Sequence, residues 1–533
     1  MAMMATRLYC IQRSLINHSI KHYPKVVHEW FQMKVKGNCS TYQMLKHQRW
    51  YNKQQFRFLS QTSQYKFCIH CFPATPSGFK RLFHVGTCAF VKTFQERENE
   101  YAHEIMENLG YNGVRKHPEG PLMYNSNEQM LSRKHTRGDI SFDENVISIL
   151  NMFKKISSSS DDTEKDIESE KYCNLLKSLA HSLPEMDNSQ IIEVLNYLCL
   201  WPPTAATNTQ QFKLLWNSLD RECVHRLESW TLDEQLLVAD YWFHLRLSRI
   251  TVYNSAVIGA LGCQLSSLSS QQLVQLLFLM NLQRKVNKPL MRKIENYVIN
   301  LVDKLNIEEI GIICLGYFKT QVPIKNPDLL HQIIKHTINN LSTVNTLTLA
   351  AIVKQLRKSC SVPNRQLFKT FLSECKKYIY CWEPTAGIHV GLLGTPIHVY
   401  DAGLIDTVVR HTFNNLENVR LKELSKLLFS CALFNHTLHM KNSFFDAIVA
   451  ELCNTRREEE ISLYPNCLIS SLLFLAYQDV YPENLLRRAL DPSFQTLLQG
   501  KIMLFMSREL VTWEIRKVYE KKEIVGNDSE NQG

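Results

Sequence analysis

The residue types that could do chemistry in this sequence are a cysteine–histidine cluster, a histidine pair, and a phased set of lysines and arginines. Cys68, Cys71, His84 and Cys88 read C-x2-C-x12-H-x3-C, a spacing that can supply a tetrahedral zinc ligand set. The rest of a small finger is missing: Pro73 and Pro76 break its hairpin, and Thr75 and Arg81 stand where apolar core residues belong. These four residues are therefore expected to bind no metal. His436 and His439, spaced i, i+3 without a second pair nearby, read as a surface turn.

Nucleotide and hydrolase motifs do not occur. The chain has no G-x-x-x-x-G-K-[ST], G-x-G-x-x-G, H-R-D, D-F-G or G-x-S-x-G, so the usual phosphate cradles, kinase parts and nucleophile elbow are missing. Gly391-Leu392-Leu393-Gly394 is too short and apolar to cradle a phosphate, Glu308-Glu309 reads as a helix start, and Asp161-Asp162 lies in a linker. No catalytic residue, metal or cofactor is assigned, and the chain is expected not to be an enzyme.

The basic residues carry more information. Residues 284 to 383 hold sixteen Lys or Arg against seven acids, and the cations keep phase with a run of apolar landmarks. Arg246 and Arg249 follow Leu236; Arg284, Lys285 and Lys288 follow Leu273; Lys319 and Lys325 follow Ile310; Arg357, Lys358 and Arg365 follow Leu349. Each lies 8 to 16 positions after its landmark, and none of the four windows contains an acid. Such phasing predicts a positive ridge able to follow a polyanion. The plainer reading is a set of polar inter-helix loops.

The elements that must position this ridge are helices. SQIIEVLNYL, DEQLLVADYW, QQLVQLLFLM, EEIGIICLGY, LTLAAIVKQL, KELSKLLFSC and NCLISSLLFL are apolar helices opened by polar residues, with landmarks Ile191, Leu236, Leu273, Ile310, Leu349, Leu424 and Leu468. The steps are 45, 37, 37, 39, 75 and 44 residues, and the long step points to a degenerate or interrupted unit at GIHVGLLG near Gly387. Between landmarks runs a second amphipathic helix, such as Leu290, Ile294, Val298, Leu301 and Leu305. Turns are signalled at Asn287-Lys288-Pro289, Asn326-Pro327 and Val362-Pro363-Asn364. The fold class is therefore all-α, an α-solenoid of about 37-residue helix-pair repeats after a disordered N-terminal targeting segment.

The N-terminal segment concentrates the charge. Residues 1 to 95 carry fourteen Lys or Arg and one acid, Glu29, although the whole chain is only +10. Leu8, Ile11, Leu15 and Ile16 between Arg7, Arg13 and Lys21 form a basic amphipathic helix, the profile of a mitochondrial transit peptide. Arg57-Phe58-Leu59-Ser60 resembles a matrix-processing site. A basic extension that binds nucleic acid is the competing reading. No stretch reaches the apolar length of a membrane span, so none is expected. The sixteen cysteines, scattered through apolar helices, fit a reducing compartment.

With the transit-like segment and helical body in place, KELSKLLFSCALFNHTLHMKNSFFDAIVAEL and LISSLLFLAYQDVYPENLLRRALDPSF resemble the FAST kinase domain-containing proteins of mitochondria. The likeness is best over Arg420 to Phe494, above all Tyr481-Pro482-Glu483-Asn484-Leu485-Leu486, and weaker over Trp230 to Arg249. It implies a matrix protein that binds single-stranded mitochondrial RNA through helical repeats and governs transcript processing, stability or translation. Mitochondrial ribonucleoprotein granule proteins are further implied partners. Members usually end in an additional helical segment and a small nuclease-like α/β module, whereas this chain shows a helical stretch to Lys522 and a polar tail. Either this chain is a shortened form or the resemblance is loose, and no nuclease activity is carried over.

The expected organisation is a transit peptide over 1–59, a poorly ordered, partly acidic linker region over 60–171, the repeat array over 172–415, a FAST kinase-like helical domain over 416–495, and a terminal helix with polar tail over 496–533. A helical-repeat scaffold for a mitochondrial protein complex, without RNA contact, is the alternative function.

Overall fold

The computed structural model describes residues 94–116, 143–158, 167, 169–202, 209–284, 287–437 and 441–498, and among these every regular element is a helix. The transit-like segment, Arg57 to Ser60, the Cys68–Cys88 cluster, Lys285, His439 and the tail after residue 498 lie outside the described residues.

Two compact units divide the chain. The larger draws on Arg81–Ser359 and Cys381–His389, the smaller on Cys360–Tyr380 and Val390–Gly533. The larger begins with α1 (Phe94–Asn108), α2 (Asp143–Ser157), α3 (Glu170–Ser182), α4 (Asn188–Leu198), α5 (Gln210–His225) and α6 (Leu232–His244). It continues with α7 (Val252–Cys263), α8 (Ser270–Gln283), α9 (Lys288–Val298), α10 (Ile307–Lys319), α11 (Pro327–Asn339) and α12 (Thr346–Ser359). In the smaller unit lie α13 (Arg365–Lys376), α15 (Ala402–Phe413), α16 (Leu421–Phe434), α17 (Lys441–Leu452) and α18 (Glu458–Leu463), then α19 (Pro465–Ala476), α20 (Glu483–Leu490) and α21 (Pro492–Leu497). Helix α14 (Pro384–Leu393) takes residues from each.

The repeat is set locally. Helices α4, α6, α8 and α10 each open with a capping box, in which Asp187 and Gln190, Thr231 and Glu234, Ser269 and Gln272, and Asn306 and Glu309 exchange side-chain and backbone hydrogen bonds. Two otherwise orphaned N–H groups are satisfied at each start. A one-turn 3-10 helix comes before each box and buries one apolar residue, Leu183, Leu227, Leu265 and Val302 in turn. The second helix of the later units starts on Pro or Asn-Pro: Asn326 caps α11 by accepting from the N–H groups of Asp328 and Leu329.

First helices stack on first helices. Successive members of α4, α6, α8, α10 and α12 are neighbours, and α3, α5 and α7 form a second layer. The first helices are parallel, since the starts of α6 and α8 meet through Gln272 donating to Asp233 at 2.7 Å, while the ends of α10 and α12 meet through Lys358 donating to Gln321 at 2.7 Å. Close approach needs glycine. A Cβ at Gly316 would come within 2.7 Å of the Leu277 carbonyl oxygen, and one at Gly311 within 2.7 Å of the Thr348 methyl.

Packing explains two places where the apolar period is weak. Helix α8 is buried from Leu273 to Leu282 and α14 at every position from Pro384 to Leu393. A helix covered all round has no polar stripe to mark its face. GIHVGLL is thus part of one continuous helix, and the 75-residue step holds a complete helix in place of an interrupted one. Helix α1 falls within 60–171, where the sequence shows little periodicity, yet Ala102, Ile105 and Met106 are buried and it lies on α8 and α10.

Candidate nucleic-acid interface

Parallel stacking brings the C-terminal ends of α6, α8, α10 and α12 to one edge of the larger unit, and the chain leaves them by a recurring turn. Arg246, Arg284 and Gln321 have positive φ of 61°, 58° and 63°. After Arg246 and Gln321, the next residue is apolar and buried, and its N–H reaches back five residues: Leu247 to the Trp242 carbonyl at 3.0 Å and Val322 to Tyr317 at 3.1 Å. This is the Schellman arrangement, which satisfies the last carbonyls and reverses the chain. Cations placed just after a helix end also complement its negative pole.

Most of the phased cations reach this edge. Arg246, Arg249, Arg284, Lys288 and Lys325 are exposed, and Arg357 and Lys358 are half-buried. They crowd one another: burial and then Arg249 push the Arg284 pKa down, and burial, then Arg357 and Lys288, push Lys358 down. Like charges held this close gain from a bound polyanion. Arg365 is exposed in the smaller unit and donates to the His398 carbonyl at 2.8 Å.

Lys319 stands apart, with its side chain only 11% exposed and its Nζ 2.7 Å from Glu98. Glu98 of α1 also pairs with Lys354, itself buried on α12. Burial pushes the Glu98 carboxyl up, but Lys354 and Lys319 outweigh it and hold it at about 2. Burial in turn drives the Lys319 ammonium down to about 8 against the pull of Glu98. Glu100 pairs with Arg246 at 3.0 Å. Helix α1 thus lays two acids on the basic edge, consuming Lys319 and leaving Arg249, Arg284, Lys288 and Lys325 exposed.

Sequence reasoning overlooked Lys354 and Glu98 because they meet across 256 residues. It also assigned no metal ligands, whereas the fold brings His103, Asp240 and His244 together. Only the i, i+4 spacing of the last two was visible beforehand.

The histidine pair requires a correction. His436 is not on a surface turn: it is 3% exposed, with Nε2 3.0 Å from Asp406 Oδ1 and Nδ1 2.7 Å from the Tyr400 hydroxyl. The turn itself is the cause. Asn435, at φ 49°, swings the chain inward, and the His436 N–H bonds the Cys431 carbonyl at 2.9 Å.

No protein-family model matches the chain. It is similar to FAST kinase domain-containing protein 5, mitochondrial, of Mus musculus, with 26% identity over 303 residues, covering 57% of this chain and 39% of that protein. The same-named Homo sapiens protein is 26% identical over 293 residues, 55% of this chain and 38% of the relative, and that of Macaca fascicularis 27% identical over 293 residues, 55% and 38%. The chain therefore spans less than half the length of the curated relatives it matches.

Proposed function

We propose, from the premise that this chain belongs to the FAST kinase domain-containing family, that it binds single-stranded RNA in the mitochondrial matrix and governs processing, stability or translation of mitochondrial transcripts. It acts by binding and catalyses no reaction of its own. One observation carries the reading: exposed cations recur at the same end of consecutive parallel helices, in windows without an acid. Single-stranded RNA suits such an edge because its phosphates follow a flexible line while its bases stay free for stacking. The family's mitochondrial members and the acid-poor N-terminal 95 residues support the address.

The test reverses Arg249, Arg284, Lys288 and Lys325, all exposed, to Glu together and measures binding to a single-stranded RNA over a range of salt. Lys319 is left alone because Glu98 already holds it. Each lost phosphate contact should reduce the salt slope by about 0.7, and affinity should fall at least about tenfold. Helical content should stay unchanged, since exposed charges contribute little to folding. An unchanged affinity and slope would sink the proposal in favour of the protein scaffold without RNA contact.

A further inference from the structure

We propose that His103, Asp240 and His244 form a zinc(II) site that fastens α1 to α6. Asp240 and His244 are one turn apart on the same face of α6, and His103 arrives from α1, 137 residues earlier. The His103 Nε2 lies 2.9 Å from Asp240 Oδ1 and 3.1 Å from Oδ2, and the His244 Nε2 lies 3.5 Å from Oδ2. One ligand atom from each residue falls within 4.8 Å of the others. Zinc bonds of about 2.0–2.2 Å to nitrogen and oxygen place tetrahedral ligands roughly 3.3 Å apart, so the contacts to Asp240 bracket the edge such a site needs.

The surroundings favour a bound cation. Asp240 is 1% exposed and His103 5%, and the His103 Nε2 is the ring atom set against both Asp240 oxygens, at 2.9 and 3.1 Å. A buried carboxylate is costly unless it is paired or coordinates a cation, and a metal shared with the two imidazoles meets that need. Asp240 Oδ2 is oriented by the Arg115 N–H at 2.8 Å, the outer-shell support that ligand carboxylates usually have. Phe243 stacks on the His103 ring, with centroids 5.1 Å apart and planes 23° from parallel, and fixes the imidazole plane.

Ligand type selects the metal. Two imidazoles and one carboxylate suit zinc, whereas calcium and magnesium require oxygen shells. Three protein ligands leave a fourth position for water or another small ligand. The ion would join an N-terminal helix to the repeat array and hold Glu98 and Glu100 over the basic edge.

The experiment uses the full chain, purified without chelators and dialysed against buffered zinc, with bound metal measured by mass spectrometry and thermal unfolding followed by circular dichroism. Wild type should hold one zinc per chain and melt higher with zinc than after chelation. His244→Ala removes a partly exposed ligand and should keep its helical content while zinc affinity falls at least about tenfold. Asp240→Asn should behave alike if it folds. Cys71→Ser should keep its zinc, which separates this site from the N-terminal cysteines. Absence of zinc at micromolar free metal would overturn the proposal, as would zinc kept by His244→Ala and lost by Cys71→Ser.

Discussion

Glu98 is the residue on which the larger unit's electrostatics turn. It is 3% exposed, with an ammonium on either side, so its charge is stable only while both partners remain. Its folded pKa of about 2 lies below the ordinary 4.5. The unfolded chain therefore binds the proton first on acidification, and the stability Glu98 contributes is complete above about 4.5 and is lost as pH falls through about 2. Glu98→Gln should cost about 3–5 kcal/mol near neutrality because it strands two buried cations. The variant should also lack part of the wild-type loss of stability between pH 4.5 and 2, as chemical denaturation at a series of pH values would reveal. If Glu98→Gln melts with the wild type, the triad is not a fixed part of the fold.

The helix ends are where stability and binding compete. Arg246, Arg284, Gln321, His398 and Asn435 all sit in the left-handed region, at spacings of 38, 37, 77 and 37 residues. The turn recurs with the repeat, yet none of these five is glycine. A residue with a Cβ pays roughly 1–2 kcal/mol for this conformation, part of which glycine returns through the greater freedom of its unfolded chain. Arg284→Gly should therefore leave thermal stability level or raise it by up to about 1 kcal/mol, while RNA affinity falls by the loss of one phosphate contact. A melt paired with a binding titration checks both. A large drop in stability would mean that the Arg284 side chain holds the α8–α9 turn itself. Glycine matters in the opposite way at Gly316, where Gly316→Ala should destabilise by about 1–3 kcal/mol by forcing α10 away from the Leu277 carbonyl.

For the molecule as a whole, charge is divided by segment. The N-terminal 95 residues carry more positive charge than the whole chain nets, while the rest of the chain is slightly acidic overall with a local basic edge. No helix among the described residues is long and apolar enough to cross a membrane. An import assay with isolated mitochondria should therefore yield a protease-protected form whose N-terminus is near Ser60, read by terminal sequencing. Import should depend on membrane potential, and replacing Arg57 with Ala should move or abolish the cut. Full-length chain left outside the organelle would overturn this address.

The sequence alone determined most helices of the array and their period, α1 and α14 excepted, because capping and the 3.6-residue apolar repeat are interactions within a turn or two of one helix. Thr231 with Glu234, Ser269 with Gln272, and Asn326 with Pro327 announce their own helix starts. It also determined that cations cluster after Leu236, Leu273, Ile310 and Leu349, since a repeat in sequence becomes a repeat along a stack. Tertiary structure decided which of those cations remain exposed. Lys319 and Lys325 share a window in the sequence, but α1 buries Lys319 against Glu98 and leaves Lys325 exposed. The approach of His103 to Asp240 and His244 was equally hidden, as was the inward turn of His436. These contacts join residues with no local relation, and only the packing of one layer on another sets which charges meet and which stay in water.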